Sequence, residues 1–142
     1  MKRLLFIALV LFSRPAAAEM KVDLGVMFDE KKDNEYAFTE KYKNNELVFT
    51  AKVDAIDPKC LTRLLDWDGN TESIPCAKLK LDDKKVGLFD VIEMSIADAV
   101  MKDKDDLLKL KRGQDITLKC VLDLDASLTL APFTFRNCEI VK

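Results

Sequence analysis

The side chains best suited to chemistry gather in one short stretch, Asp66-Trp67-Asp68-Gly69-Asn70, followed by Glu72. Four oxygen-bearing side chains so close together have the composition of a divalent-cation loop. In the twelve-residue calcium loop, however, the glycine follows three ligand positions, and here it follows only two. The Asp68-Gly69 step reads instead as a tight hairpin turn, because glycine tolerates the positive φ that such turns require. No metal is therefore expected. Trp67, the single tryptophan, offers a flat apolar face that could stack on a base or sugar or anchor a partner protein. Arg63, Lys78 and Lys80 are the cations that could join it in a ligand-binding set. The two lysines also alternate with Ala77, Leu79 and Leu81, which is the pattern of an ordinary solvated strand face.

Other chemistries are excluded by composition. The chain has no histidine, which removes serine–histidine and cysteine–histidine catalysis and histidine-ligated zinc. Carboxylates are plentiful, yet no pair has a spacing that singles it out for acid–base work. Asp103, Asp105 and Asp106 with Lys102 and Lys104 form a charge run of the kind found at a solvated helix end. No catalytic residue and no cofactor are expected, and the chain is not read as an enzyme.

Four cysteines remain, Cys60, Cys76, Cys120 and Cys138, with 15, 43 and 17 residues between them. None forms the closely spaced pair of a zinc site. Their reading depends on the compartment, and the first eighteen residues address that. Lys2-Arg3 precedes an apolar run of nine residues, Leu4 to Phe12, and Ala16-Ala17-Ala18 follows. This is the layout of a cleaved secretory signal peptide, too short for the roughly 20 residues that span a bilayer. Pro15 would end its helix and leave the cleavage site extended. Cleavage after Ala18 would release residues 19–142 as a single domain, periplasmic or secreted and soluble. An oxidising compartment turns an even cysteine count into disulfides, with three connectivities open.

Of the chain's 23 basic residues, the leader takes Lys2, Arg3 and Arg14, and it takes none of the 25 acidic ones. The mature chain thus carries 20 basic residues against 25 acidic, a net of −5. Gripping phosphates needs a basic surface, so nucleic acid is disfavoured as a partner.

The elements that must position these residues follow from periodicity. Residues 28–43 read as an amphipathic helix with Tyr36, Ala37 and Tyr42 on its buried side, stopped by Asn44-Asn45. Leu47, Phe49, Ala51, Val53 and Ala55 alternate along the first strand, which Pro58 ends. Residues 60–65 and 74–81 read as the second and third strands, joined through the Asp68-Gly69 hairpin. That hairpin puts Cys60 nearly opposite Cys76. Leu88, Ile92, Ile96 and Val100 recur at four-residue steps and predict an amphipathic helix, with Asp90 and Glu93 as a capping pair. Residues 105–111 predict a further helical turn ended by Gly113. Residues 116–122 and 133–141 are the fourth and fifth strands. The alternation of the fifth slips at Arg136-Asn137, which predicts a bulge. A hairpin between these two strands brings Cys120 near Cys138, so the preferred pairing is Cys60–Cys76 and Cys120–Cys138.

The order is helix, three strands, helix, two strands. The fold class expected is mainly β with α, a five-stranded OB-like barrel with an N-terminal helix and a helix between strands three and four. Three stretches carry a family resemblance: Asn34-Glu35-Tyr36-Ala37 and Lys41-Tyr42-Lys43 leading into residues 47–53, then residues 110–120, then Asn137-Cys138-Glu139-Ile140-Val141. In these the chain resembles the tRNA-anticodon-binding-like OB-fold family of small secreted bacterial proteins and lipoproteins. Cys76 falls where that family often has a cysteine; Cys60 has no counterpart, and Ala51 stands where a glycine is usual. The resemblance implies an OB-fold binding module. Its expected role is binding a protein or glycan partner in the cell envelope, as an inhibitor, immunity or accessory protein. The alternative is an oligonucleotide-binding protein.

Overall fold

The computed structural model describes residues 19–82, 86–88, 92–124 and 131–142; the predicted signal peptide, residues 1–18, lies outside them. Among the described residues strands dominate. Glu19–Lys21 (β1) leads into two short helices, Leu24–Asp33 (α1) and Glu35–Tyr42 (α2). Strands Glu46–Leu64 (β2) and Thr71–Lys80 (β3) follow, then Val86–Leu88 (β4), Ile92–Met94 (β5) and Ala97–Met101 (β6). A 3-10 helix, Lys104–Lys109, precedes the last two strands, Asp115–Leu122 (β7) and Phe133–Ile140 (β8).

One residue divides the predicted N-terminal helix into two. Asn34 takes an extended backbone, closes α1 with its N–H on the Glu30 carbonyl, and opens α2 by accepting from the Ala37 N–H through its side chain. A short amide side chain that can cap the next helix favours such a break over continuation. The break rotates the buried face. Phe38 and Tyr42, with Leu24 and Met27, pack into the core, whereas Tyr36 and Ala37 stay exposed. Glu30 then ties the helices together, accepting from Lys41 and from the Tyr42 hydroxyl. Asn44 ends the helical region with a φ of 60°.

β2 is longer than the two strands predicted in its place, and Pro58 does not end it. The pairing with β3 is interrupted between Asp57 and Leu61, and Pro58 sits in that gap, where its missing N–H costs no ladder bond. Lys59 turns its N–H back onto the Asp57 carboxylate at 2.8 Å. A second irregularity between Val53 and Ala55 shifts the phase of the strand. Leu47, Phe49, Ala51 and Val53 face the core, but Ala55 pairs with Lys78 and leaves it.

The largest departure from expectation lies between residues 86 and 101. Of the recurring Leu88, Ile92, Ile96 and Val100, three lie in strands and Ile96 in the bend just before β6, and none of the described residues at these positions is helical. A step of four fits a two-residue period as well as a 3.6-residue one, so periodicity alone does not decide. Long-range partners decide: β6 lies antiparallel to β3 on one side and parallel to β8 on the other. Both rows of its backbone groups are thereby engaged, which a helix could not offer these neighbours. β4 and β5 form a separate two-stranded ladder that includes Glu93, while Asp90 falls outside the described residues. The helical turn predicted at 105–111 is the 3-10 helix, started by Asp103 accepting from the Asp105 N–H.

Six strands make one sheet in the order β1-β2-β3-β6-β8-β7, and β7 also pairs with β2. The hydrogen bonds therefore run in a ring. Phe133, Phe135, Leu47, Leu79, Ile96 and Leu118 fill its interior, with Phe49 and Phe135 at 4.6 Å between ring centroids. Phe38 of α2 stacks on Phe133 at 5.6 Å, which seats the helical pair against this core. No helix among the described residues is long and apolar enough to cross a membrane.

Candidate functional site

The hairpin and the outer face of β3 hold the residues singled out from sequence. The turn is built by Asp66. Its carboxylate accepts from the Asp68 N–H at 3.0 Å, the Asn70 N–H at 3.2 Å and the Asn70 side-chain amide at 2.6 Å. These bonds, the Asn70 side chain first, hold the Asp66 carboxyl below its ordinary range. The Leu65 N–H closes the loop onto the Asn70 carbonyl, and Gly69 supplies a φ of +84°. Asp66 thus serves as a turn former. The loop it organises raises Trp67 fully clear of the protein (102% relative exposure), with Leu65 also exposed.

Arg63 and Trp67 do not join Lys78 and Lys80 in one site. Arg63 is exposed and pairs in register with Glu72, while Lys78 lies opposite Ala55 and Lys80 opposite Lys52. Six residues of strand separate Glu72 from Lys78, about 20 Å at 3.3 Å per residue. The lysines also have acidic neighbours. Lys78 Nζ lies 3.4 Å from Asp98 and Lys80 Nζ 3.7 Å from Asp54, while Lys52 bonds Asp82 at 2.7 Å. This face of β3 is a strip of compensated charge.

That strip holds a feature the sequence did not reveal. In β3, Ala77 and Leu79 point into the core, so Cys76, Lys78 and Lys80 share the opposite face. Cys76 is joined to Cys60, as preferred from the hairpin, with 5.6 Å between Cα atoms. In-register pairing of Lys78 with Asp98 brings Asp98 of β6 beside this bond. Asp98 is only 2% exposed, and a carboxylate oxygen of it lies within 4.8 Å of both sulfurs. Burial pushes its carboxyl above the ordinary range; the Lys78 charge opposes this shift, and the Asp57 charge adds to it. In sequence Asp98 looked like one more polar residue off a helical stripe. Its neighbours Ala97, Ala99 and Met101, alternating as apolar residues around it, were the available signal. The two sulfurs, being bonded to each other, offer no thiolate to a metal.

The second disulfide, Cys120–Cys138, also forms as preferred, with Cα atoms 4.2 Å apart. The predicted bulge is present: Asn137 has a φ of 51°, and the β7–β8 register shifts between Lys119 and Val121. This bond lies within the hydrophobic core cluster. Beside it a shallow cavity of about 260 Å³ is bordered by Cys120 itself and by Glu46, Lys102, Lys119 and Glu139. Glu139 pairs with Lys102 at 3.2 Å and with Lys119 at 3.6 Å. The Lys102 bond is the main cause holding its carboxyl below the ordinary range.

No protein-family model, curated protein or solved structure matches this chain.

Proposed function

We propose that this chain is an exported OB-like binding module, without catalytic activity of its own, that engages a protein or glycan partner in the cell envelope through its β2–β3 hairpin. The single observation that carries this reading is Trp67, fully exposed at the tip of a turn that Asp66 holds with three hydrogen bonds. A large aromatic surface on an ordered support gives contact area at a small entropic cost. A five-strand ring of pairing plus a helical pair fits the OB plan, and in OB folds the loop between the first two barrel strands belongs to the ligand-binding surface. Disulfides at all four cysteines accord with an oxidising compartment and with the export signal read at residues 1–18.

The oligonucleotide alternative has less support. Lys78, Lys80 and Lys52 are each near a carboxylate, so the strand face adjoining the hairpin does not present the uncompensated cations that phosphate binding uses. The test compares the mature protein with Trp67→Ala. Purified envelope glycans and envelope proteins are each titrated, and single-stranded DNA and RNA are titrated across a salt series. Retention that the substitution reduces at least tenfold supports the reading. Tight nucleic-acid binding that weakens steeply with salt would replace it with the alternative.

A further inference from the structure

The Cys60–Cys76 bond combines three features that favour thiol–disulfide exchange, whereas Cys120–Cys138 has neither sulfur exposed. Exchange needs one sulfur open to an incoming thiolate and a second sulfur able to leave, and it is assisted where a nearby group can supply a proton to the departing thiolate. Cys60 is partly exposed, in the stretch of β2 where pairing with β3 lapses between Asp57 and Leu61. Cys76 is completely buried. Asp98 is buried beside both sulfurs, within 4.8 Å, on a strand hydrogen-bonded to the one that carries Cys76. Cys120 and Cys138, by contrast, are both buried with the hydrophobic core, at 1% and 0% exposure, although Cys120 borders the shallow cavity beside Glu139.

We infer that Cys60–Cys76 is a thiol–disulfide exchange site for a dithiol reductant or its disulfide form, with Cys60 as the sulfur attacked and Asp98 as the proton donor and acceptor for Cys76. An incoming thiolate attacks Cys60 Sγ; its new bond to that sulfur forms as the Cys60–Cys76 bond breaks. The electron pair leaves on Cys76 Sγ, which takes the proton from the Asp98 carboxyl, and Asp98 is reprotonated from solvent. The second thiol of the reductant then attacks its own sulfur in the mixed disulfide and releases Cys60 as a thiolate. The reductant is thereby oxidised by two electrons and the protein bond reduced by two. Oxidation runs in reverse, with the Asp98 carboxylate drawing the proton from Cys76 as it attacks.

The charges facing Asp98 suit this duty. Burial favours its protonated form, Asp57 of β2 reinforces that preference, and Lys78 of β3 is near enough to offset a developing thiolate or carboxylate. General acid–base assistance of this kind operates at hydrogen-bond range or through one water. The site is independent of the Trp67 binding surface, so failure of either reading leaves the other standing.

The test begins with the unaltered oxidised protein in a glutathione buffer under native conditions, quenched with acid and mapped by peptide mass. The expected adduct is glutathione on Cys60, with Cys76 as a free thiol and Cys120–Cys138 intact. Glutathione on Cys76 instead, or opening of both bonds at equal rates, would overturn the assignment. Dithiothreitol reduction then gives the rate. Asp98→Asn is expected to slow opening of Cys60–Cys76 by about tenfold or more. It should also abolish the part of the pH profile that remains after correction for reagent thiolate. A folded Asp98→Asn protein with an unchanged rate and profile removes Asp98 from the mechanism. If that variant fails to fold, the adduct position on the unaltered chain and the same profile in Lys78→Gln decide. A Lys78→Gln profile identical to that of the unaltered protein counts against the charged cluster.

Discussion

The two disulfides close loops of nearly equal length, with sequence separations of 16 and 18, and each lies at an irregularity in an antiparallel pair. Their surroundings nevertheless differ. Cys120 and Cys138 point inward among Leu118, Leu122 and Phe135, and their sulfurs form part of the apolar core. Cys60 and Cys76 lie on the outer face of the same sheet, against Asp98 and Lys78, with one sulfur partly open to solvent. Strand parity sets the contrast. Cys120 continues the inward row of Ile116 and Leu118, whereas Cys76 belongs to the outward row of Lys78 and Lys80. Equal covalent constraints can thus serve different purposes: one completes a core, and the other sits where chemistry can reach it.

The contrast can be broken most sharply by removing each bond in turn. Cys120→Ala with Cys138→Ala should cost the most, about 3 kcal/mol from lost loop closure, with a further loss from the cavity left in the core. Urea denaturation at neutral pH measures it. Cys60→Ala with Cys76→Ala should cost less, about 3 kcal/mol from loop closure with a smaller cavity loss, because only Cys76 of the pair is buried and it lies outside the main core cluster. Hydrogen exchange should show its effect confined to residues 57–76. Equal costs, or a larger cost for the outer bond, would erase the distinction between the two.

Asp98 sharpens the comparison through pH. Its carboxyl is raised in the folded protein above the ordinary value of 3.8. The folded state therefore holds the proton more tightly than the unfolded chain does. Stability from this group is fully present below the unfolded value and is lost as pH rises through the folded one. Asp98→Asn should remove that dependence, so its stability relative to the unaltered protein should increase as pH rises from about 3 to neutrality. A pH series of urea midpoints checks this, and a difference that stays flat or falls would show that Asp98 is ionised without penalty. The smallest expected effect is at the hairpin tip. Trp67→Ala should leave stability within about 0.5 kcal/mol, as expected for a side chain outside any packing contact. A larger loss would show that the tryptophan supports the fold and weaken its assignment as a contact residue.

Features governed by local chemistry were legible in the sequence. Asp68-Gly69 announced a hairpin and the phase slip between Phe135 and Cys138 a bulge, and both are present. Gly113, read as a helix stop, lies instead in the turn before β7, because the 3-10 helix already ends at Lys109. From the hairpins both disulfide pairings followed. Misreadings arose where a remote neighbour outweighed the local pattern. Pro58 stays inside a strand because the partner strand skips it, and residues 97–101 are a strand because β3 and β8 enclose them. Tyr36 loses its predicted buried place because capping by Asn34 turns the second helix.

The sequence by itself determined the number of cysteines and a preference for their pairing, the absence of histidine chemistry, the net acidity, and the hairpin that carries Trp67. Those depend on residue identity and on backbone preferences acting over a few positions. Only the tertiary structure decided that Lys78 and Lys80 would face carboxylates, that Trp67 would stand apart from them, and that Asp98 would be buried beside one disulfide. Those depend on which strands become neighbours and in what register. Register is settled by burying the whole apolar set at once, so no short stretch of the chain contains it.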